Sequence, residues 1–236
     1  MFQRRLKNFI KRKLGMHAKK SYSQCGEDLI VRYVFDVLGI DKPSYLDIGA
    51  HHPYFLNNTA LFFEQGSRGV NIEADPQLIH RFHKDRKEDT NLNIGMATES
   101  SVMDFFVMSP PTLSTFSQEE AQRYEQEAGH KITSTISVQV QTFSEVVDSY
   151  FKGISPDFVS LDVEGLDYDI LKSIDFSVYR PRVFCIETIV FTKKRSSEGA
   201  GRHDKIDTLM LENNYIKYAD TNVNTIYVDQ KSWLNS

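Results

Sequence analysis

The sequence has little cysteine and no long apolar run. Its two cysteines, Cys25 and Cys185, lie far apart and form no CxxC spacing. This disfavours a disulfide framework or a zinc site and predicts a reducing, cytoplasmic environment. No apolar stretch approaches the roughly 20 residues that span a bilayer. The first residues also lack the apolar stretch and the small-residue cleavage site of a secretory signal, so we expect a globular cytoplasmic protein.

Glycine and proline are not enriched either, with 12 and 7 residues among 236. Charged residues make up 25% and hydrophobic residues 40% of the chain, a balance that disfavours fibrous and disordered classes. A chain of this length predicts one domain that buries a sizeable core.

Positive charge is concentrated at the start of the chain. Residues 1–20 contain eight of the 28 Lys and Arg residues and no acid, which leaves 20 basic against 32 acidic residues in the remainder, residues 21–236. Residues 21–236 carry a net negative charge and are not expected to bind nucleic acid over a broad face, since phosphates need positive potential. Apolar residues recur at near-helical spacing within the basic segment. They predict an amphipathic helix on an anionic membrane surface, such as the inner membrane face, with a solvated tail or a core-edge helix as alternatives.

Strand and helix patterns alternate after the basic segment. We predict strands at 44–48, 69–73, 91–94, 102–107, 136–141, 157–162, 182–187, 215–219 and 225–228, and helices at 26–38, 59–65, 76–86, 118–128, 143–151, 168–174 and 203–213. Repeated strand–helix units predict an α/β fold with a parallel sheet covered by helices. The last two strands are joined by a short turn, so they must be antiparallel.

Residues 109–134 lack strand character. The only element predicted within them is the polar helix at 118–128. A segment of this length is either a lid over a binding site or a flexible surface excursion.

The first predicted strand runs into Asp47-Ile48-Gly49, at the edge where open α/β sheets bind ligands. Gly49 allows the backbone to come close to a ligand. The next residues, His51-His52-Pro53, break the G-x-G-x-x-G pattern of dinucleotide sites. A cofactor without phosphates is therefore favoured, and a nicotinamide dehydrogenase is disfavoured.

Three further predicted strands also end in acids. Glu73 is placed to accept hydrogen bonds from ribose hydroxyls, whereas Asp75 precedes Pro76 and suits a helix N-cap. After the strand at 157–162, Asp167 suits the first turn of the following helix, and this leaves Asp162 and Glu164 to face the cleft. Glu187 ends the fourth such strand.

Five segments occur in a telling order: Ser23-Gln24-Cys25-Gly26-Glu27-Asp28, then 46–54, 71–76, 161–167 and 180–187. Together they resemble the FkbM-type family of S-adenosylmethionine-dependent methyltransferases. The resemblance implies a Rossmann-like class I methyltransferase sheet of seven strands, the last antiparallel, with helices on both faces.

The resemblance also implies which residues contact S-adenosylmethionine. By position, Asp47 and Gly49 would line the methionine end, and Gln24 would reach the carboxylate or amine. Glu73 would hold the ribose, and Met96 and Ala97 would border the adenine. Ala50, Ala74 and Asp162 would also contact the cofactor.

For the methyl acceptor, the resemblance implies a hydroxyl, and the basic start favours a sugar in a glycan or glycolipid. A small natural-product hydroxyl is one alternative, and a non-catalytic cofactor-binding module recruited by its basic tail is another. Candidates to orient or deprotonate the acceptor are Asp162, Glu164, Glu187, His51 and His203. Asp162 and Glu187 could share Mg²⁺ through oxygen ligands, or they could be solvated strand-end acids; His203 also suits a helix-start surface position.

Overall fold

A mixed sheet organises the computed structural model, which describes residues 18–190, 201–202 and 204–236. The strands in chain order are β1 Tyr45–Ile48, β2 Gly69–Ile72, β3 Thr90–Leu92, β4 Gly95–Met96, β5 Ser101–Ser109, β6 Lys131–Gln141, β7 Phe158–Leu161, β8 Val183–Glu187, β9 Ile189–Val190, β10 Gly201–Arg202, β11 Tyr215–Asp220 and β12 Asn224–Asp229. Within these residues, seven strands form the main sheet in the order β11-β12-β8-β7-β1-β2-β3.

The last strand runs against its neighbours. β12 pairs antiparallel with both β11 and β8, whereas β1, β2, β3, β7 and β8 pair in parallel. The short turn between β11 and β12 forces this direction, because a parallel return needs a crossover connection. The predicted seven-stranded sheet with an antiparallel last strand is confirmed.

Helices cover both faces of this sheet. They are α1 Glu27–Val37, α2 Ala60–Glu64, α3 Pro76–Asp85, α4 Gln118–Ala128, α5 Phe143–Phe151, α6 Asp167–Ser173, α7 Asp204–Glu212 and α8 Gln230–Leu234. Side chains alternate along each strand, so Leu46 and Ile48 pack with α5, α6 and α7, while Tyr45 packs with α1 and α2. Helices on both faces explain why every residue of β1 and β7 is buried.

Helix α3 begins where the sequence predicts. The Asp75 carboxylate accepts a hydrogen bond from the Gln77 backbone N–H at 2.7 Å, and Pro76 occupies the first helical position. An N-cap acid followed by proline satisfies one free N–H and removes another. The N-cap prediction for Asp75 is confirmed.

The segment between β4 and α5 forms a separate layer. In the described part of the chain, β4, β6 and β5 make a three-stranded sheet, and the antiparallel pair β5–β6 carries a 3₁₀ turn, Pro111–Leu113, and α4 between its strands. We call residues 101–141 the insertion hairpin. The predicted helix at 118–128 is confirmed, but the expectation that 109–134 lacks strands is wrong at both ends, since β5 includes Ser109 and β6 begins at Lys131. Lys131 already belongs to β6, because a run rich in β-branched Ile and Thr favours an extended chain despite its polarity.

Two sequence predictions lie outside the described residues. These are most of the basic segment, of which residues 1–17 are not described, and His203. Among the helices that are described, none combines the length and apolarity needed to cross a membrane.

Candidate active site

A cleft opens at the carboxyl ends of β1, β2, β7 and β8, where parallel strands bring their last residues to one edge of the sheet. The insertion hairpin contributes another wall of the same cleft. Sequence-predicted residues that line it are Gln24, Gly49, Glu73, Ala74, Met96, Asp162, Glu164 and Glu187. The fold thus gathers residues that are far apart in the chain.

Gly49 forms a close approach between β1 and β7. Its φ is 77°, in the left-handed region, and a Cβ built there would lie 1.8 Å from the backbone oxygen of Asp162. The N–H groups of Gly49 and Ala50 both donate to the Ile72 oxygen at 3.0 Å, so this turn is also tied to β2. Only glycine fits a position with both constraints.

Glu73 lies in the cleft wall at the tip of β2. Its two carboxylate oxygens accept hydrogen bonds from the backbone N–H groups of His51 and Asp75, each at 2.8 Å. Burial raises the pKa of Glu73 to about 7, although these two hydrogen bonds oppose the rise. Each carboxylate oxygen can accept a second hydrogen bond, so a diol such as ribose remains a suitable partner.

The S-Q-C-G-E-D segment is folded by its own acids. The Asp28 carboxylate accepts hydrogen bonds from the hydroxyls of Ser21 and Ser23 at 2.7 and 3.0 Å. The resulting turn leads into α1 and leaves Gln24 at the cleft. Only Gln24 of this segment was predicted to have a role, and the structural role of Asp28 was not foreseen.

Glu27 connects the same segment to the end of the β11–β12 pair. Its buried carboxylate accepts hydrogen bonds from the Thr221 hydroxyl at 2.8 Å and from the Asn224 amide at 3.0 Å. Thr221 lies in the turn between β11 and β12, and Asn224 is the first residue of β12. No local sequence pattern predicts this role of Glu27, because its partners are nearly 200 positions away in the chain.

Asp47 does not line the cleft, contrary to the expectation for the methionine end. Its carboxylate points beneath the tip of β1 and accepts hydrogen bonds from the Asn57 amide at 2.9 Å and the Thr59 hydroxyl at 2.7 Å. Burial raises its pKa, and these partners, with Arg86 nearby, oppose the rise. Asp47 therefore holds the loop that follows β1.

Two predicted alanines also lie away from the cleft. Ala50 is buried against Ile79 and Phe82 of α3. Ala97 lies beyond Met96 and lines a second cleft beside α6.

Three acids converge at the cleft where β7 and β8 end. One carboxylate oxygen from each of Asp162, Glu164 and Glu187 lies within 4.8 Å of the others. Burial, reinforced by the charge of Asp167, raises the pKa of Asp162 to about 7. Burial and the charge of Asp162 raise the pKa of Glu164 to about 8 and that of Glu187 well above its usual range. Asp162 and Glu187 are also hydrogen-bonded to each other, so the cluster holds at least one proton near neutral pH.

The loop that carries Glu164 is held from two sides. Asp167, in the first turn of α6, accepts hydrogen bonds from the N–H groups of Val163 and Gly165 at 3.1 and 3.2 Å. From the insertion hairpin, the Tyr124 hydroxyl donates to the Glu164 carboxylate at 2.6 Å. Asp167 lies in the first turn of α6, as the sequence predicts. The contact between Tyr124 and Glu164 was not foreseen.

His51 reaches the cleft as well. Burial, followed by the neighbouring charge of His52, lowers the pKa of His51, so its imidazole is neutral at pH 7 and can accept a proton.

The strand order, the antiparallel β12 and the acid at the tip of β2 define a class I methyltransferase, the class that draws its methyl group from S-adenosylmethionine. The profile of the methyltransferase FkbM domain matches residues 47–217, and the chain belongs to this family.

Other comparisons find more distant similarity. No curated protein sequence matches significantly. A TehB-like methyltransferase from Corynebacterium glutamicum is 12% identical, with 94% of this chain and 97% of that chain covered and a TM-score of 0.43. An O-methyltransferase from Bacillus cereus, in complex with S-adenosylhomocysteine, is 11% identical, with 94% and 90% covered and a TM-score of 0.41.

Proposed function

We propose that this methyltransferase methylates a hydroxyl oxygen, on a sugar of a glycan or glycolipid. The observation that carries the proposal is the carboxylate cluster of Asp162, Glu164 and Glu187 inside the cleft. Methylation of an alcohol requires removal of its proton, and a carboxylate with a raised pKa is suited to accept it. A non-catalytic cofactor-binding module has no use for three like charges held together at this cost.

The residues of the cleft fit S-adenosylmethionine. When bound, this cofactor supplies an electrophilic methyl group on a positively charged sulfur. Glu73 would accept hydrogen bonds from the ribose hydroxyls, and Ala74 and Met96 would border the base. Gln24 would bind the amino-acid end, and the negative potential around Asp162 favours a cationic sulfur.

On the acceptor side, we assign proton removal to Glu164, with His51 as the neighbouring alternative. Glu164 has one oxygen held by the Tyr124 hydroxyl, which orients the carboxylate in the cleft. The hydrogen-bonded pair of Asp162 and Glu187 would retain a shared proton or, in a second form of the proposal, bind Mg²⁺ through oxygen ligands and acidify the hydroxyl.

The function is tested by a screen for methyl transfer from labelled S-adenosylmethionine. Glycan and lipid-linked sugar acceptors form one arm and small hydroxyl-bearing natural products form the other. Each arm is run with and without chelator, at about pH 7 and about pH 9, because a base with a raised pKa works better when it is ionised. Labelling of nitrogen or carbon acceptors alone would refute the hydroxyl assignment, and chelator-insensitive activity would refute the Mg²⁺ form.

The ribose role is tested by Glu73→Ala. Loss of a hydrogen-bonded carboxylate should weaken S-adenosylhomocysteine binding by about 1–3 kcal/mol, measured by calorimetry. Asp75→Ala is the matched control: it removes the N-cap of α3, lowers stability by about 0.5–2 kcal/mol, and should leave the affinity unchanged. Equal affinities of the wild type and Glu73→Ala would reject the ribose role.

We further propose that the basic segment holds this cytoplasmic protein at the inner membrane face. Its support is the concentration of Lys and Arg in residues 1–20. The full chain should co-sediment with vesicles containing phosphatidylglycerol, and added salt should weaken this binding. A chain without residues 1–20 should stay in solution; equal sedimentation of both would contradict the proposal.

A further inference from the structure

The cleft changes character along its length. The end that holds Asp162, Glu164 and Glu187 is strongly acidic, whereas the end beyond Glu73 is apolar. The apolar end is lined by Ala74, Leu78, Ile94, Met96, Phe105 and Phe116. A ligand that has a diol at Glu73 and a cationic group at the acids must place its remaining part, an aromatic base, at this apolar end.

Two aromatic rings at the apolar end come from the insertion hairpin. Phe105 of β5 and Phe116, which precedes α4, are both buried and have ring centroids 4.7 Å apart. Phe116 is held in place by the residue before it, since Thr115 pairs with Phe106 through two backbone hydrogen bonds of 2.9 and 3.1 Å. The rings are therefore preorganised, which lowers the entropy cost of binding a flat ligand against them.

Gly95 makes room for one of these rings. A Cβ built on Gly95 would lie 2.3 Å from the Phe116 Cζ atom and 2.5 Å from its Cε2 atom. Gly95 has an ordinary φ, so no turn requires a glycine here. The missing side chain admits the Phe116 ring to the tip of β4, beside Met96.

We propose that Phe116 is a cofactor-binding residue: its ring packs against the base of the nucleoside that Glu73 holds by the ribose. This inference rests on the proposed use of S-adenosylmethionine and assigns the insertion hairpin to the cofactor site, in addition to any role as a lid over the acceptor. Base–aromatic contact is favourable for any purine because every base has an apolar face. The insertion hairpin then forms part of the nucleoside-binding site.

The position of Phe116 also links the two ends of the cleft. Its neighbour Thr115 donates a hydrogen bond from its hydroxyl to the backbone oxygen of Glu164 at 2.7 Å. A ligand that packs on Phe116 thus stabilises the same short segment that holds the Glu164 loop. Cofactor binding should protect the backbone amides around Thr115 from hydrogen exchange.

Calorimetry with S-adenosylhomocysteine and with adenosine tests the proposal. Phe116→Leu keeps apolar bulk but removes the ring, and it should weaken both ligands by a similar factor, about 5-fold or more. Phe106→Leu is the matched control, since Phe106 packs with Met108 and Tyr124 away from the cleft.

A spectroscopic measurement separates binding from structural support. In the wild-type complex, the ring current of Phe116 should shift the adenine proton signals of S-adenosylhomocysteine, and Phe116→Leu should remove that shift while Phe106→Leu retains it. Gly95→Ala should reproduce the affinity loss by displacing the ring, and its effect should not add to that of Phe116→Leu. Unchanged affinity and unchanged adenine signals in Phe116→Leu would overturn the inference. Failure of the wild type to bind S-adenosylhomocysteine would instead refute the proposed cofactor.

Discussion

Gly49→Ala is expected to abolish measurable S-adenosylhomocysteine binding and to lower stability. The new Cβ would overlap the Asp162 backbone oxygen, 1.8 Å away, so the tips of β1 and β7 must separate. The left-handed φ of 77° adds about 1–2 kcal/mol of strain, and overpacking costs typically about 1–3 kcal/mol more. This separation would strain or break the hydrogen bond between the two strand ends, in which the Asp162 N–H donates to the Ile48 oxygen at 3.0 Å. The displacement therefore reaches the acids of the cleft.

Gly39→Ala is the control for this prediction. Gly39 has a similar φ of 69°, but among the described residues no heavy atom lies within 4 Å of a Cβ built there. It should show the backbone strain alone, with normal ligand affinity. Calorimetry and thermal unfolding of both variants compare the two effects. If Gly49→Ala binds S-adenosylhomocysteine as tightly as Gly39→Ala does, the close approach is not part of the site.

Arg86→Met is expected to destabilise the protein by about 3–5 kcal/mol, the range for removing one partner of a buried ion pair. Arg86 is fully buried, and its guanidinium donates hydrogen bonds to Asp89 at 2.9 Å, to the Tyr45 hydroxyl at 2.8 Å and to Thr59 at 3.0 Å. Without it, Asp89 would be left as a buried charge. The loop after β1 would also lose a support, because Thr59 in turn holds Asp47.

Urea unfolding measures this loss. Arg182→Met is the matched control, since Arg182 forms a more exposed ion pair with Asp157 at 3.0 Å. Such pairs contribute about 0–1 kcal/mol. A loss below about 1 kcal/mol in Arg86→Met would mean that the buried cluster does not hold the loop together.

The acids at the strand tips were predictable because a parallel sheet brings the ends of its strands to one edge. Glu73, Asp162 and Glu187 follow apolar runs that are recognisable as buried strands, and each lies at the cleft. The same rule fails for Asp47, which lies one residue before the end of β1. Its direction depends on Asn57 and Thr59, whose side chains offer donors beneath the sheet.

The insertion hairpin shows a second limit of sequence reasoning. Its helix α4 was predictable, since Ser117 caps it and the polar pattern is helical. Its function was not, because Phe116 and Tyr124 act through Gly95 and Glu164, which belong to other parts of the chain. The side-chain periodicity within residues 109–134 cannot predict contacts with residues elsewhere in the chain.

The sequence by itself determined the alternation of strands and helices, the antiparallel last strand and the edge of the sheet at which the acids meet. These features depend on side-chain periodicity and short turns, which act between residues close in the chain. The tertiary structure alone decided which acids face the cleft, which support it from below, and that the insertion hairpin closes its apolar end. Those outcomes depend on burial and on hydrogen-bond partners that only the folded chain brings together.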